Sequence, residues 1–376
     1  MQYSNLLDHL QNASRRLKIE HGQDSFLLLS PQELFYIAKA NFSGFWFLII
    51  DDKFYVICSQ MIKEQLRGHF GNCAEIIEAA YPKTFSQTLV ELLNKHEKKS
   101  FVLDKASLDV DLYQTIQAAL SAQKDAPIEI KLKSGVLKNM RMVKDEQELS
   151  LIKQACEIVS QTCQEAVSFV KSNLSKNITE LDVHYKILEI FAKYKTEPSF
   201  SLIIASGANS ANPHHTSSQA AVCANSVLLM DIGCKYLGYC SDLTRTYYIK
   251  DDTPNAKVIV DEKEFNEAYL KVQTAQELAI QKARAGVKAA DVDFAARNSF
   301  GADAKYFIHG LGHGVGIDIH EDPYLAPRAQ GKLQEAMVVT VEPGIYFDGK
   351  FGIRIEDTVV ITKDGCKLLT NAPYKF

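Results

Sequence analysis

The residues most able to do chemistry together are four acids and one histidine, spread over the second half of the chain. Residues 227–233 form a short apolar stretch holding one acid, Asp231. A turn around residues 235–238 follows, and the returning stretch 239–248 carries Asp242. A hairpin would set the two acids on neighbouring strands, where opposed Cα atoms lie about 4.5–5.5 Å apart. Carboxylates that close repel one another unless a cation or a proton sits between them. The pattern then repeats. Residues 338–347 carry Glu342, Asp348-Gly349-Lys350 is a hairpin turn, and the return over 351–361 carries Glu356. Glu342 and Glu356 are each seven residues from Gly349. One facing pair of acids inside β-branched strands is an ordinary accident of a solvated hairpin; two such pairs in one region are not.

Between the hairpins lies His309-Gly310-Leu311-Gly312-His313-Gly314-Val315-Gly316-Ile317-Asp318-Ile319-His320-Glu321, which holds three of the ten histidines. It is a poor dinucleotide fingerprint, because position 317 is Ile where a GxGxxG read from Gly312 needs glycine. His309 and His313 have i, i+4 spacing, but the glycines argue against a zinc-protease helix and no Glu follows His309. A loop-to-strand segment presenting one or two imidazoles fits better. Four carboxylates and one neutral imidazole carry a charge of −4, which two divalent cations cancel. Oxygen donors with a single nitrogen suit Mn²⁺, Co²⁺, Fe²⁺ or Zn²⁺ better than a structural thiolate zinc site. Paired cations lie roughly 3.5–4 Å apart and make a nucleophile of bound water near neutral pH. The spacing alone thus points to metal-assisted hydrolysis.

These residues need elements to hold them. Leu149, Ile152, Cys156, Val159, Cys163, Ala166 and Val170 step by alternating threes and fours, which predicts one apolar stripe on a helix over 144–171, with both cysteines in the core. Thr179, with Asp182 three residues on, predicts a helix start. A third helix is predicted over 261–285, ending at Gly286. Upstream, residues 45–50 and 53–58 flank Asp51-Asp52 and read as a β-hairpin; 84–96 and 111–122 read as helices, and 128–132 as a strand. That first region holds no glycine-rich phosphate loop and no ligand cluster, so it reads as a structural or oligomerising domain. The reading is an α/β (α+β) chain of two domains, 1–138 and 139–376.

Lys plus Arg number 42 and Asp plus Glu 46, so the net charge is −4 and no nucleic-acid or anionic-membrane partner is expected. No run of about 18 apolar residues exists to span a bilayer. The first 22 residues have Asp8 and polar breaks where a secretion signal needs an apolar core, and read as an amphipathic helix. None of the eight cysteines forms a CxxC pair, so reduced thiols in a cytoplasm are expected.

The stretches MDIGCKYLGYCSDLTRTYYI, HGLGHGVGIDIHEDP, VVTVEPGIY and GIRIEDTVVI resemble the pita-bread metallopeptidases: methionine aminopeptidase, aminopeptidase P and prolidase. The resemblance covers about residues 140–376. The preceding region, through its order of elements and the FWFLIIDDKFYVI hairpin, is similar to the creatinase and prolidase amino-terminal domain. The resemblance implies a creatinase-like α/β domain followed by a pita-bread domain, an antiparallel sheet flanked by helices. It implies two metal ions, Mn²⁺ first among the possibilities, with Asp231 on one, His313 on the other, Asp242 and Glu356 bridging, and Glu342 as ligand and general base. It implies that His320 meets the substrate carbonyl, that His214 touches substrate, that His309 lines a proline pocket, and that Arg354 braces the carboxylates. The implied activity is cleavage of the bond before proline by a metal-bridging hydroxide, on a proline-containing peptide, by a homodimer. Some prolidases of this family place an Arg shortly after the His-Glu pair to hold a dipeptide carboxylate. Here that neighbourhood reads Asp322-Pro323-Tyr324, with Arg328 the nearest, so an aminopeptidase accepting longer chains is the first expectation and a dipeptidase the alternative. The extra amino-terminal domain argues against methionine aminopeptidase. A non-catalytic peptide-binding relative would have lost ligands that this chain retains. His215, adjacent to His214, is an alternative for its role.

Overall fold

The computed structural model describes residues 6–80, 83–123, 127–251 and 257–375. They divide into two compact units, Met1–Arg141 and Met142–Phe376. The first five residues of the predicted amino-terminal helix lie outside the described residues; the rest of it is α1, Leu6–His21.

In the first unit, β1 (Ser25–Leu28) is followed by α2 (Pro31–Ala38). Next comes the predicted hairpin, β2 (Phe45–Ile50) and β3 (Lys53–Cys58), whose turn residues Asp51 and Asp52 both have positive φ. Four further elements alternate: α3 (Gln60–Phe70), β4 (Glu75–Glu78), α4 (Phe85–Lys95) and β5 (Ser100–Asp104). The unit closes with α5 (Val110–Ser121) and β6 (Glu129–Lys133). The six strands form one mixed sheet, ordered β4-β3-β2-β1-β5-β6. Leu27, Leu48, Ile57 and Phe101 of this sheet pack with Leu89 and Leu93 of α4 and Ile116 of α5. The short α6 (Lys138–Met142) spans the division.

The second unit opens with α7 (Glu146–Asn173), capped by Asp145, and α8 (Glu180–Lys193), whose Thr179 and Asp182 form the expected capping box. Their apolar stripes, including Cys163 and Val170 of α7 and Ile187 and Phe191 of α8, bury against β8 (Ile203–Ser206), β9 (Ser226–Ile232) and β12 (Leu243–Ile249). A small ribbon of β7 (Glu197–Pro198), β10 (Cys234–Tyr236) and β11 (Tyr239–Cys240) sits beside them. A second helix pair follows. Helix α9 (Glu262–Lys282) stops three residues short of expectation, because Ala283 turns to extended backbone at ψ 109°. The pattern reading missed α10 (Ala289–Ser299), whose buried face is Ala289, Val292 and Ala296; alanine carries little hydrophobic contrast. These two helices cover the second sheet, ordered β14-β13-β15-β18-β19. Its strands are β13 (Gly312–Gly314), β14 (Glu321–Leu325), β15 (Val338–Val341), β18 (Asp357–Ile361) and β19 (Cys366–Leu368). Between β15 and β18, β16 (Gly344–Phe347) and β17 (Phe351–Arg354) make the hairpin tip. All strand pairs in this unit are antiparallel.

The two sheets are sutured to each other. The Glu356 N–H donates to the Thr244 carbonyl at 3.1 Å, Thr246 Oγ1 donates to the Arg354 carbonyl at 2.8 Å, and Thr358 Oγ1 donates to the Asp242 carbonyl at 2.8 Å. The long hairpins expected from sequence are therefore interrupted. Asp242 lies between β11 and β12, Glu342 between β15 and β16, and Glu356 between β17 and β18. Pro343, which has no N–H, cannot continue the ladder.

Candidate metal centre

Glu342 and Glu356 keep the expected cross-strand register, since Val341 pairs with Asp357 and Gly344 with Arg354. Asp231 and Asp242 do not. Asp231 pairs with Thr244, which places Asp242 two positions out of line. The β10–β11 ribbon continues the same register, with Lys235 opposite Cys240 and Tyr236 opposite Tyr239. The chain therefore turns at Leu237-Gly238, one residue later than expected, and the pairing moves by two. The first pair of acids meets through converging side chains, not directly across a ladder.

His313 reaches the centre from β13, which runs closely against its neighbours. A Cβ on Gly312 would collide with the Thr340 carbonyl oxygen, and one on Gly314 with the Asp322 carbonyl oxygen, so glycine on either side lets the histidine strand lie between β14 and β15. The His313 N–H donates to Thr340 Oγ1 at 3.0 Å, and that hydroxyl donates to Glu342 Oε1 at 3.1 Å. Gly314 O, 3.1 Å from Nδ1, can only accept, so Nδ1 carries a proton and Nε2 is left to face the acids. Nε2 lies 3.3 Å from Glu342 Oε1 and 3.6 Å from Asp242 Oδ2. Asp242, His313 and Glu356 each offer one ligand atom within 4.8 Å of the others.

Arg354, buried, ties the centre together. Its Nη2 donates to Asp231 Oδ2 at 2.5 Å, Nη1 to the Tyr346 hydroxyl at 2.7 Å, and Nε to Thr244 Oγ1 at 3.1 Å. Thr244 in turn donates to Glu356 Oε2 at 2.6 Å. The tyrosine leads on to His309, whose Nε2 is 2.9 Å from the Tyr346 hydroxyl and whose Nδ1 is 2.7 Å from Gly310 O. The carbonyl fixes the proton on Nδ1, so Tyr346 donates to Nε2 and both ring nitrogens of His309 are engaged by the protein.

Even with one arginine, the acids are badly matched by protein groups. Burial raises the Asp242 carboxyl well above the usual range, with the Glu356, Asp231 and Glu342 charges adding to it. Glu356 is raised well above its ordinary value by burial, then by Glu342 and Asp231. Burial also raises Asp231, against the pull of Arg354. For Glu342, burial is outweighed by the bond to His313, and it falls to about 2. Glu342 raises His313 against the opposing effect of burial. Among the described residues, Asp231 Oδ1 and Glu356 Oε1 are buried with no hydrogen-bond partner. Orphaned buried carboxylate oxygens are costly, and a hard or borderline cation is the partner that oxygen donors with one imidazole lack. The residues present therefore fit a divalent-metal centre.

One cavity of about 610 Å³ collects all nine residues singled out from sequence: Asp231, Asp242, His313, Glu342, Glu356, His214, His309, His320 and Arg354. His320 packs edge-on against His313, with ring centroids 4.3 Å apart, and burial followed by the His313 charge lowers its pKa. His214 lines the cavity, whereas His215 turns away to Glu180, 2.8 Å from its Oε2. Phe200, Ile203, Tyr324 and Ala326 supply apolar wall. Sequence reasoning missed Thr244, Thr340 and Tyr346. Thr244 directly opposes Asp231, and Thr340 lies two residues before Glu342 on the same face of the strand, so register could have found both.

Residues 150–363 match Metallopeptidase family M24, and residues 10–143 match the Creatinase/Prolidase N-terminal domain. The chain is 37% identical over 244 residues to a Xaa-Pro dipeptidase of Pyrococcus horikoshii, covering 64% of this chain and 66% of that protein. It superposes on an X-Pro aminopeptidase from Thermotoga maritima with a TM-score of 0.84 at 31% identity, covering 96% of this chain and 99% of the other. A Xaa-Pro dipeptidase from Bacillus anthracis gives a TM-score of 0.85 at 26% identity, covering 98% of each chain. No helix among the described residues is long and apolar enough to cross a membrane. With a family match over more than half of its length, on a creatinase-type amino-terminal domain and a pita-bread fold, the chain belongs to Metallopeptidase family M24.

Proposed function

We propose that this chain is a Xaa-Pro aminopeptidase, releasing the first residue of a peptide whose second residue is proline. The single observation that carries the choice over a dipeptidase is the charge of the cavity wall. Among the described residues lining it, Arg354 is the one permanent cation, and it is engaged by Asp231, Tyr346 and Thr244. A dipeptide presents its free carboxylate next to proline, and that group wants an uncommitted guanidinium or ammonium. A longer chain presents a neutral peptide there. The likeness to the Thermotoga maritima aminopeptidase supports this reading; the relatives named Xaa-Pro dipeptidase favour the alternative.

Asp231, Asp242, His313, Glu342 and Glu356 would hold two divalent cations, Mn²⁺ first among them, with Asp242 and Glu356 shared. Bound there, the cations would ionise a water and polarise the scissile carbonyl. The chain's own residues do the rest. Glu342, the most exposed of the four carboxylates, accepts the proton of the attacking water. His320 donates a hydrogen bond to the carbonyl oxygen as charge gathers on it, which a neutral imidazole with one N–H can do. His309, with both nitrogens engaged, offers its ring as a wall for proline. His214, on the cavity wall, binds the peptide. The eight free cysteines support a reducing compartment, the cytoplasm. The proposed homodimer rests on the family resemblance and is read by light scattering.

The test compares a Xaa-Pro dipeptide with a Xaa-Pro-Xaa tripeptide on Mn²⁺-loaded protein. Cleavage of the tripeptide supports the aminopeptidase, and cleavage of the dipeptide alone establishes the dipeptidase. Failure on both with cation bound would favour a peptide-binding relative that does not catalyse.

A further inference from the structure

His214 faces the cavity from a loop with no regular structure beyond one short turn of 3₁₀ helix, yet its position must be held for it to meet a substrate. The restraint comes from behind. Glu180, the first residue of α8, is fully buried. Its Oε1 accepts the Ser206 N–H at 2.7 Å and Asn209 Nδ2 at 2.9 Å. Its Oε2 accepts His215 Nε2 at 2.8 Å, the Ser218 N–H at 2.9 Å and the Ser218 hydroxyl at 2.8 Å. Five donors on one buried carboxylate satisfy it, and the helix start favours its charge. Burial works to raise its pKa, but the bonds from Asn209, His215, Ser206 and Ser218 outweigh that and hold it below the ordinary range.

The donors are placed in a telling way. Ser206 and Ser218 are the two ends of the loop, and Asn209 lies within it. One side chain therefore closes the loop and removes most of its freedom. The fourth partner is His215. Two adjacent histidines cannot both face the cavity if one ring is bound to Glu180. The Asn212 carbonyl and Oδ1 accept the His215 and His214 N–H groups, each at 3.1 Å, and complete the turn that separates the rings.

We infer that Glu180 is a positioning residue for the peptidase site: it gathers both ends of the 206–218 loop and binds His215, so that His214 is the histidine presented to substrate. The inference rests on the peptidase reading above, and it also predicts loop behaviour that can be measured without turnover.

Glu180→Gln keeps the shape but replaces one acceptor oxygen by an amino group that faces other donors. On Mn²⁺-loaded protein the expected result is a fall in kcat/KM for a Xaa-Pro-Xaa tripeptide of roughly 10–100-fold, with Mn²⁺ content unchanged. In a His214→Ala background the same change should alter kcat/KM by less than about twofold, because the group it positions is gone. An equal fall in both backgrounds, or no fall in the single variant, would overturn the inference. Hydrogen exchange gives the second readout: amides of 206–218 exchange faster in Glu180→Gln, and unchanged exchange there would also overturn it. Should Glu180→Gln fail to fold, Asn209→Ala removes a single donor and must show a smaller fall with the same dependence on His214; additive behaviour would sink the idea. A wild-type protein that cleaves no Xaa-Pro peptide refutes the peptidase reading, while the exchange measurement still decides whether Glu180 restrains the loop.

Discussion

At Arg354 two needs meet in one side chain: it offsets the charge of Asp231, and through Thr244 and Tyr346 it aligns Glu356 and His309. Removing one partner of a buried ion pair leaves the other uncompensated, at a cost of about 3–5 kcal/mol. Arg354→Met is therefore expected to destabilise the protein on that scale, as read by urea denaturation; a loss below about 1 kcal/mol would show that the pair is dispensable. The acids themselves behave differently. Glu356→Gln is expected to abolish hydrolysis while leaving circular dichroism intact, because it withdraws a ligand and not a packing group. Retained turnover would exclude Glu356 from the centre. His320 lies at the exposed side of the cavity and touches His313 edge-on. His320→Ala is expected to lower kcat by about 10²–10³-fold with cation content preserved, as measured by atomic absorption. Equal loss of cation would make His320 a ligand.

At the scale of elements, the centre is built where strands stop. Asp242, Glu342 and Glu356 occupy breaks between strands; at Glu356 the backbone N–H bonds Thr244 on the other sheet, and at Asp242 the carbonyl accepts from Thr358. A strand that continued would tie up backbone groups and turn alternate side chains away. His313 needs the reverse, a strand squeezed between two others. Gly312→Ala should push that strand off Thr340 and lower both cation affinity and thermal stability; unchanged affinity in a titration would show that the close approach does not set His313. Much of this was legible in sequence. The hairpin at 45–58 was read residue for residue, because its two apolar runs flank Asp51-Asp52. The α7 stripe and the Thr179–Asp182 cap were legible for the same reason: a local pattern determines them. The four acids were legible because acids inside apolar strands are conspicuous, whereas His214, His309, His313, His320 and Arg354 were assigned through the family resemblance. The register of Asp231 with Asp242 was misread, because the chain turns at Leu237-Gly238, one residue later than the middle of the 235–238 segment, and that shifts the pairing by two. Tyr346 and Glu180 escaped notice because their partners come from distant segments: Tyr346 meets His309 across 37 positions, and Glu180 meets the 206–218 loop. Helix α10 escaped because its buried face is mostly alanine.

Over the whole molecule, two units share one chain, and all five proposed ligands lie in the second. Cation binding to the folded state alone stabilises by about 2.7 kcal/mol at a hundredfold excess over Kd. Calorimetry with and without Mn²⁺ is therefore expected to move the transition that unfolds residues 142–376. A transition moved only for the first unit would place the cation elsewhere. The interruptions at the acids have one more consequence. They leave orphaned carboxylate oxygens in a cation-free fold that would be firmer without them, since amides or apolar groups of the same size suffer no mutual repulsion. A descendant freed from peptide cleavage would drift toward such substitutions and gain heat resistance by doing so. A chain that still carries four crowded acids forgoes that robustness.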